Sequence, residues 1–244
     1  MKSIGKYFIF LFSMFHKMES FKTYYKLVID ECVSIGLSSI FLVSLVATFM
    51  GAVTTVQTAY NLVSPFIPDY IISTVVRDMT ILELAPTIIG VIFAGKVGSS
   101  MASGLGTMRI SEQIDALEVM GINSASYLVL PKIVATLLMY PLLVILAGFL
   151  CIVGGYLAGT FAEILTPNAY KYGIQYLFNE FTVQFAMIKS VVFAFLISSI
   201  SAYKGYYTSG GALEVGKSST SAVTDSVIAV LLADYLLAQM MLTT

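Results

Sequence analysis

The chain has 244 residues, 58% of them hydrophobic and 11% charged, with a mean hydropathy of +0.89 and a formal net charge of −1. A water-soluble domain covers itself with about 25% charged residues, so this composition excludes one and makes the bilayer the solvent. No basic footprint for nucleic acid lies beyond the N-terminal lysines, and the two cysteines, Cys32 and Cys151, sit singly in apolar segments with neither a disulfide spacing nor a metal-ligand cluster.

The start, MKSIGKYFIFLFSMFHKMESF, resembles a signal peptide in that Lys2 and Lys6 precede an apolar run. No small-x-small cleavage site follows, and the run is only about nine residues long against the ~20 needed to span. Residues 1–31 therefore read as an amphipathic helix lying in the membrane interface on the cytoplasmic side. His16, the single histidine, has no second ligand beside it, so no metal site is expected.

Five stretches are long and apolar enough to cross: 33–60, 81–104, 127–160, 182–203 and 222–242. The expected fold is an all-α integral membrane protein, a single domain over 1–244 with five transmembrane helices. An odd number of spans puts the termini on opposite sides. With the N-terminus cytoplasmic, that side collects Lys2, Lys6, Lys17, Lys22, Lys26, Lys96, Arg109, Lys132, Lys204 and Lys217, while the far side keeps Arg77 and Lys171. The positive-inside rule thus sets the N-terminus inside and the C-terminus outside. The third stretch exceeds one perpendicular crossing and must tilt or protrude.

Two connections have character of their own. SPFIPDYIISTVVRD, 64–78, reads as a short external or re-entrant helix, and TPNAYKYGIQYLFNE, 166–180, opens with a Thr-Pro helix start and carries the tyrosines of an outer interface. No internal repeat of the inverted-repeat transporter kind is visible.

GALEVGKSST, 211–220, fits the phosphate-loop pattern through Gly211, Gly216, Lys217 and Ser218, and VIAVLLAD, 227–234, imitates a magnesium-binding strand. A working phosphate loop needs a strand before it, a helix after it and a soluble sheet around it. Here the first match lies between two spans, with no room for a nucleotide-binding domain, and the second is itself part of the last span. The stretch reads as a glycine- and serine-rich cytoplasmic loop, and this chain is expected to bind no cofactor.

Along the second span Gly90, Ala94, Gly98, Ala102 and Gly106 recur every fourth residue, and Ala147, Cys151, Gly155 and Gly159 repeat the pattern on the third. Such a stripe lets another helix approach closely, either from the same chain or as a homodimer seam. The second span is followed by SEQIDALEVMG, 111–121: Ser111 as N-cap, Glu112 and Asp115 near the positive helix end, Gly121 as terminator, with Ile110, Ile114 and Leu117 on one face and Glu112, Asp115 and Glu118 on another. It is either an interfacial connector or a coupling helix inserted into a cytoplasmic motor.

Ionisable residues inside spans are costly and mark function or pairing. Lys189 and Asp234 fall at similar depths, roughly 10 and 13 Å from the outer ends of their spans at 1.5 Å per residue, and are expected to pair, as a structural bridge or at a lipid headgroup site. Glu83, near Arg77 and Asp78, reads as an interfacial carboxylate or a contact for an outer partner. No nucleophile-base constellation is present, so no enzymatic activity is expected.

AGKVGSSMASGLGTMRISEQIDALEVMGINSASYLVLPKI resembles the signature of the MlaE/YrbE permease family, the membrane subunits of ABC lipid transporters that work with MCE-domain proteins. The resemblance extends through LELAP, 82–86, and YYTSGGALEVGKSSTSAV, 206–223. Lys96 stands where many members have arginine, Gly104 where many have glutamate, and Glu214 where glycine is frequent. The resemblance implies a homodimeric permease in a bacterial inner membrane, enclosing a lipid-accessible cavity, with cytoplasmic ATPase subunits holding ATP and Mg and MCE subunits outside. Ser111, Glu112, Gln113, Asp115, Ala116, Leu117, Glu118 and Met120 would then form the coupling helix, and phospholipid the cargo. Composition alone leaves open an ion-coupled transporter or channel, with Lys189 and Asp234 as its relay.

Overall fold

The computed structural model describes residues 2–14, 21–62 and 68–242, and it is all helical among them. His16 lies outside the described residues. The elements are α1 (Lys2–Ser13), α2 (Phe21–Asn61), α3 (Tyr70–Ile110), α4 (Gln113–Val119), α5 (Ser124–Phe161), α6 (Pro167–Gln175), α7 (Glu180–Tyr206) and α8 (Ala212–Leu242). The five helices α2, α3, α5, α7 and α8 have the length and hydropathy to cross a membrane.

Each runs past its expected apolar core, because polar residues at a helix end keep the backbone bonded while lying at the headgroups. Two expectations change as a result. Residues 21–31 are the first turns of α2 and not part of the interfacial helix. The described part of 64–78 is no separate external helix either: Tyr70–Met79 runs directly into the second span. The junction is π-helical over Thr80–Ile88, and Ala94–Gly98 is π-helical again. Pro86 has no N–H to give to an α ladder, and the wider turn accommodates its ring.

The contacts divide the chain into two compact units. The first comprises Met1–Ser39, Gly90–Tyr140 and Val191–Thr243. Its core is aromatic and small-residue packing: the Phe93 and Tyr140 rings meet edge to face at 4.9 Å, with Phe193, Ala194 and Ile197 fully buried nearby in α7. α1 docks here through Phe10, which is buried against Tyr203, Tyr206 and Tyr207, and through Tyr7, whose hydroxyl lies 2.7 Å from Ser199 Oγ. Phe8, Ile9 and Phe12 are exposed on α1.

The second unit comprises Ile40–Ile89 and Pro141–Ser190. α2 and α5 approach so closely here that a Cβ on Gly51 would collide with the Cys151 backbone, and one on Gly154 with that of Thr48. α6 begins as its Thr-Pro start predicts, Thr166 accepting from the Ala169 N–H at 3.2 Å. It packs on the start of α3 through Ile72, Val76, Leu165 and Tyr170. Arg77, 3% exposed, closes its far end by donating to the carbonyls of Ile174 and Tyr176 at 2.8 Å each, a use of arginine at helix C-terminal carbonyls.

Candidate functional site

The short helix between α3 and α5 is built by three local events in the first unit. α3 stops at Ile110, where Ser111 turns its hydroxyl back onto the Thr107 carbonyl at 2.8 Å. Ser111 is therefore the C-cap of α3 and not the N-cap of the next helix. Glu112 takes the N-cap position in the left-handed region, φ 60°, with no side-chain cap, because the chain must reverse within one residue there. At the other end Gly121, φ +80°, closes α4 as expected: the Gly121 N–H donates to Glu118 and that of Ile122 to Leu117.

The result is shorter than the 111–121 segment, seven residues from Gln113 to Val119, held by a single buried anchor, Ile114. The acidic residues do not act together. Asp115 accepts from Arg109 Nη1 at 2.7 Å, and Glu118 Oε1 accepts from Ser124 Oγ at 2.9 Å and the Tyr206 hydroxyl at 3.1 Å. Glu118 thus ties α4 back to α5 and α7. Glu112, Gln113, Asp115 and Ala116 are exposed, and so are two apolar side chains, Val119 at 89% and Met120 at 65%. Burial pushes the nearby Tyr207 hydroxyl above its ordinary value, with Tyr203 adding and Arg109 opposing, so it stays neutral.

The small-residue stripe is filled from within the chain. A Cβ on Gly90 would meet Tyr140 and Phe193, one on Gly98 would meet Ser201, and one on Gly106 would meet Val215. Ala94 and Ala102 are fully buried, and the Ala102 carbonyl lies where a Cβ on Gly205 would go. These residues pack α3 against α7 and α8.

The phosphate-loop match is helix. Gly216, Lys217 and Ser218 lie in α8, which begins at Ala212, so the stretch is not the loop it resembles in composition. Ser218 Oγ donates to the Lys204 carbonyl at 2.8 Å and Lys217 pairs with Glu214 at 2.7 Å. No nest of free backbone N–H groups forms at these residues, because the helix ladder uses them.

Lys189, expected inside a span, meets Glu83, expected at the interface. Lys189 is fully buried in α7 and donates to Glu83 Oε1 and to the Leu82 carbonyl, both at 2.9 Å, with the Phe185 ring 4.7 Å from the ammonium. Glu83 sits in the π-helical turn of α3. Asp234 belongs to the first unit, on α8, and Lys189 to the second. The pairing of Lys189 with Glu83 was missed in the sequence, although both residues stood out, because 106 positions separate them. Arg77 was counted only as a charge.

A family model, Permease MlaE, matches residues 28–240. The chain belongs to the MlaE permease family. Among its relatives, a probable ABC transporter permease protein of Rickettsia bellii is 36% identical over 239 residues, 98% of this chain and 92% of that one. A probable ABC transporter permease protein of Synechocystis is 32% identical over 213 residues, 87% of this chain and 81% of that one. TRIGALACTOSYLDIACYLGLYCEROL 1, a chloroplastic protein of Arabidopsis thaliana, is 36% identical over 155 residues, 64% of this chain and 44% of that one. This MlaE-family chain is a multi-pass membrane permease, and α4 and the Lys189 pair are features of that permease.

Proposed function

We propose that the chain is the membrane-spanning subunit of an ATP-driven ABC transporter for phospholipid, with α4 as the element through which a separate ATPase acts. The carrying observation is α4 itself: a seven-residue helix on one buried anchor, presenting Val119 and Met120 together with Glu112 and Asp115. Exposed apolar side chains on a polar surface fit insertion into a partner's groove. A helix joined to α3 through two residues, Ser111 and Glu112, and to α5 and α7 through Glu118 can pass a push on its tip into the spans.

The relatives' names as ABC transporter permeases support the ATPase partner, which would hold ATP and Mg. The plant relative, named after a galactolipid, supports a lipid cargo. Lys6, Lys22, Lys26, Lys96, Arg109, Lys132, Lys204 and Lys217 all belong to the first unit, which supports a cytoplasmic face there and an N-terminus inside a bacterial inner membrane. On α8, Ile228, Leu231, Leu232, Tyr235 and Leu236 are exposed, which suits lipid or the seam of a homodimer. An MCE-domain protein would receive or deliver the lipid outside. The pair of buried Lys189 with half-exposed Glu83 favours a second reading, an ion-coupled transporter with these residues as relay.

Affinity purification of the tagged chain in mild detergent separates the two. Wild type should bring down an ATPase and phospholipid, and Glu112→Lys/Asp115→Lys should lose the ATPase while keeping the lipid. Wild type without ATPase, yet moving substrate on an ion gradient, would overturn the ABC reading.

A further inference from the structure

The first unit holds a cavity of about 320 Å³ between α2, α3 and α5 that neither α4 nor the Lys189 pair accounts for. Its charged lining is Lys96, Lys132 and Glu31, with Ser34, Ser38 and Ser100 beside them. Its floor is apolar, since Ile35, Val97 and Met101 are each buried. A pocket of this size with apolar walls and a few converging polar groups has the make-up of a small-ligand site.

Its charges do not balance. Among the described residues lining the cavity there are two ammonium groups and one carboxylate, and Glu31 is engaged by Lys132. Lys96 donates to the Ser38 carbonyl, a neutral acceptor that leaves its charge uncompensated. A half-buried cation set among serine hydroxyls over an apolar floor attracts an anion, and a lysine ammonium is a point-charge partner for phosphate. The space is open as well: a Cβ on Gly104, which lines the same cavity, would meet nothing within 4 Å.

We infer that this cavity binds the phosphate of an anionic phospholipid, with Lys96 as the principal contact and Lys132, tethered by Glu31, as the second. The inference rests on the reading of the chain as a phospholipid permease and adds headgroup selectivity to it. Phosphatidylglycerol, whose headgroup carries net negative charge, satisfies the excess ammonium. Phosphatidylcholine brings a quaternary ammonium of its own against Lys96 and Lys132, and binds less well.

The test uses the full chain reconstituted in nanodiscs holding equal phosphatidylglycerol and phosphatidylcholine, then extracted, washed and weighed by native mass spectrometry to count retained lipid. Wild type is expected to retain phosphatidylglycerol over phosphatidylcholine. Lys96→Gln and, independently, Gly104→Glu are each expected to lower phosphatidylglycerol retention about tenfold, the effect of one charge-assisted contact. Gly104→Glu enters open space, so its thermal midpoint should match wild type and its loss cannot be put down to misfolding. Equal retention by wild type and both variants would overturn the pocket while leaving the lipid permease standing. A wild type that retains no phospholipid would remove both. If millimolar inorganic phosphate strips the lipid from wild type as fast as it is bound, the site is one for free phosphate and the lipid assignment fails.

Discussion

Lys189 Nζ lies 2.9 Å from Glu83 Oε1, the lysine fully buried in α7 and the glutamate side chain 49% exposed on the π-helical turn of α3. A buried charge in that position is costly without a partner, and the Leu82 carbonyl supplies a second acceptor. The wider turn and the pair occupy the same residues, so the pair pins α3 where its helix geometry departs from regular.

Removing one partner should therefore cost more than removing both. Glu83→Gln and Lys189→Met are each expected to destabilise the protein by about 1–3 kcal/mol, and the double variant to recover part of the loss. Thermal unfolding in detergent gives the three values. Additive losses would mean that the pair carries no coupling.

Glycines that receive a neighbour's backbone should tolerate no side chain. Gly205→Ala meets the Ala102 backbone and is expected to lose about 1–3 kcal/mol, while Gly95→Ala, with nothing within 4 Å, should be neutral or stabilise by about 0.5–1 kcal/mol. The two thermal midpoints, compared with wild type, check the packing of α3 on α7.

Arg77 should govern α6. Arg77→Lys keeps the charge but cannot serve the Ile174 and Tyr176 carbonyls from one nitrogen while two others hold Asp78, as the guanidinium fork does. Amide exchange over Pro167–Gln175 is expected to speed up about tenfold in the lysine variant, with little change in α8.

How much of this could be read from the sequence follows from the range of the interaction. Apolar runs and the Thr166 cap are local signals, so the five crossings and the start of α6 were legible. Helix ends were not: Phe21 and Tyr70 begin helices with residues that composition assigns to the interface, because a bonded backbone continues after hydrophobicity stops. Ser111 has the chemistry of an N-cap, but the preceding helix claimed it, through Thr107. In GALEVGKSST the glycines suggested a loop, yet Val215 packs toward Gly106 and Ser218 toward Lys204, and those tertiary contacts hold the stretch helical. Lys189 and Glu83 were both conspicuous as charges, and only the fold could join them.

Ile114 should hold α4 to the rest of the chain. Ile114→Asp is expected to detach it, abolishing ATPase co-purification while the spans still assemble, and Glu118→Gln, which can still accept from Tyr206, should have a small effect. Gel filtration with an ATPase assay on the same peak distinguishes the two.

The most direct measurement is photocrosslinking in living cells from a photoreactive amino acid at Val119 or Met120, with the adduct identified by mass spectrometry. The account predicts a crosslink from both positions to a nucleotide-binding ATPase, stronger than from the exposed Lys171 on α6. Adducts with lipid alone, or none from either position, would contradict a permease driven through α4.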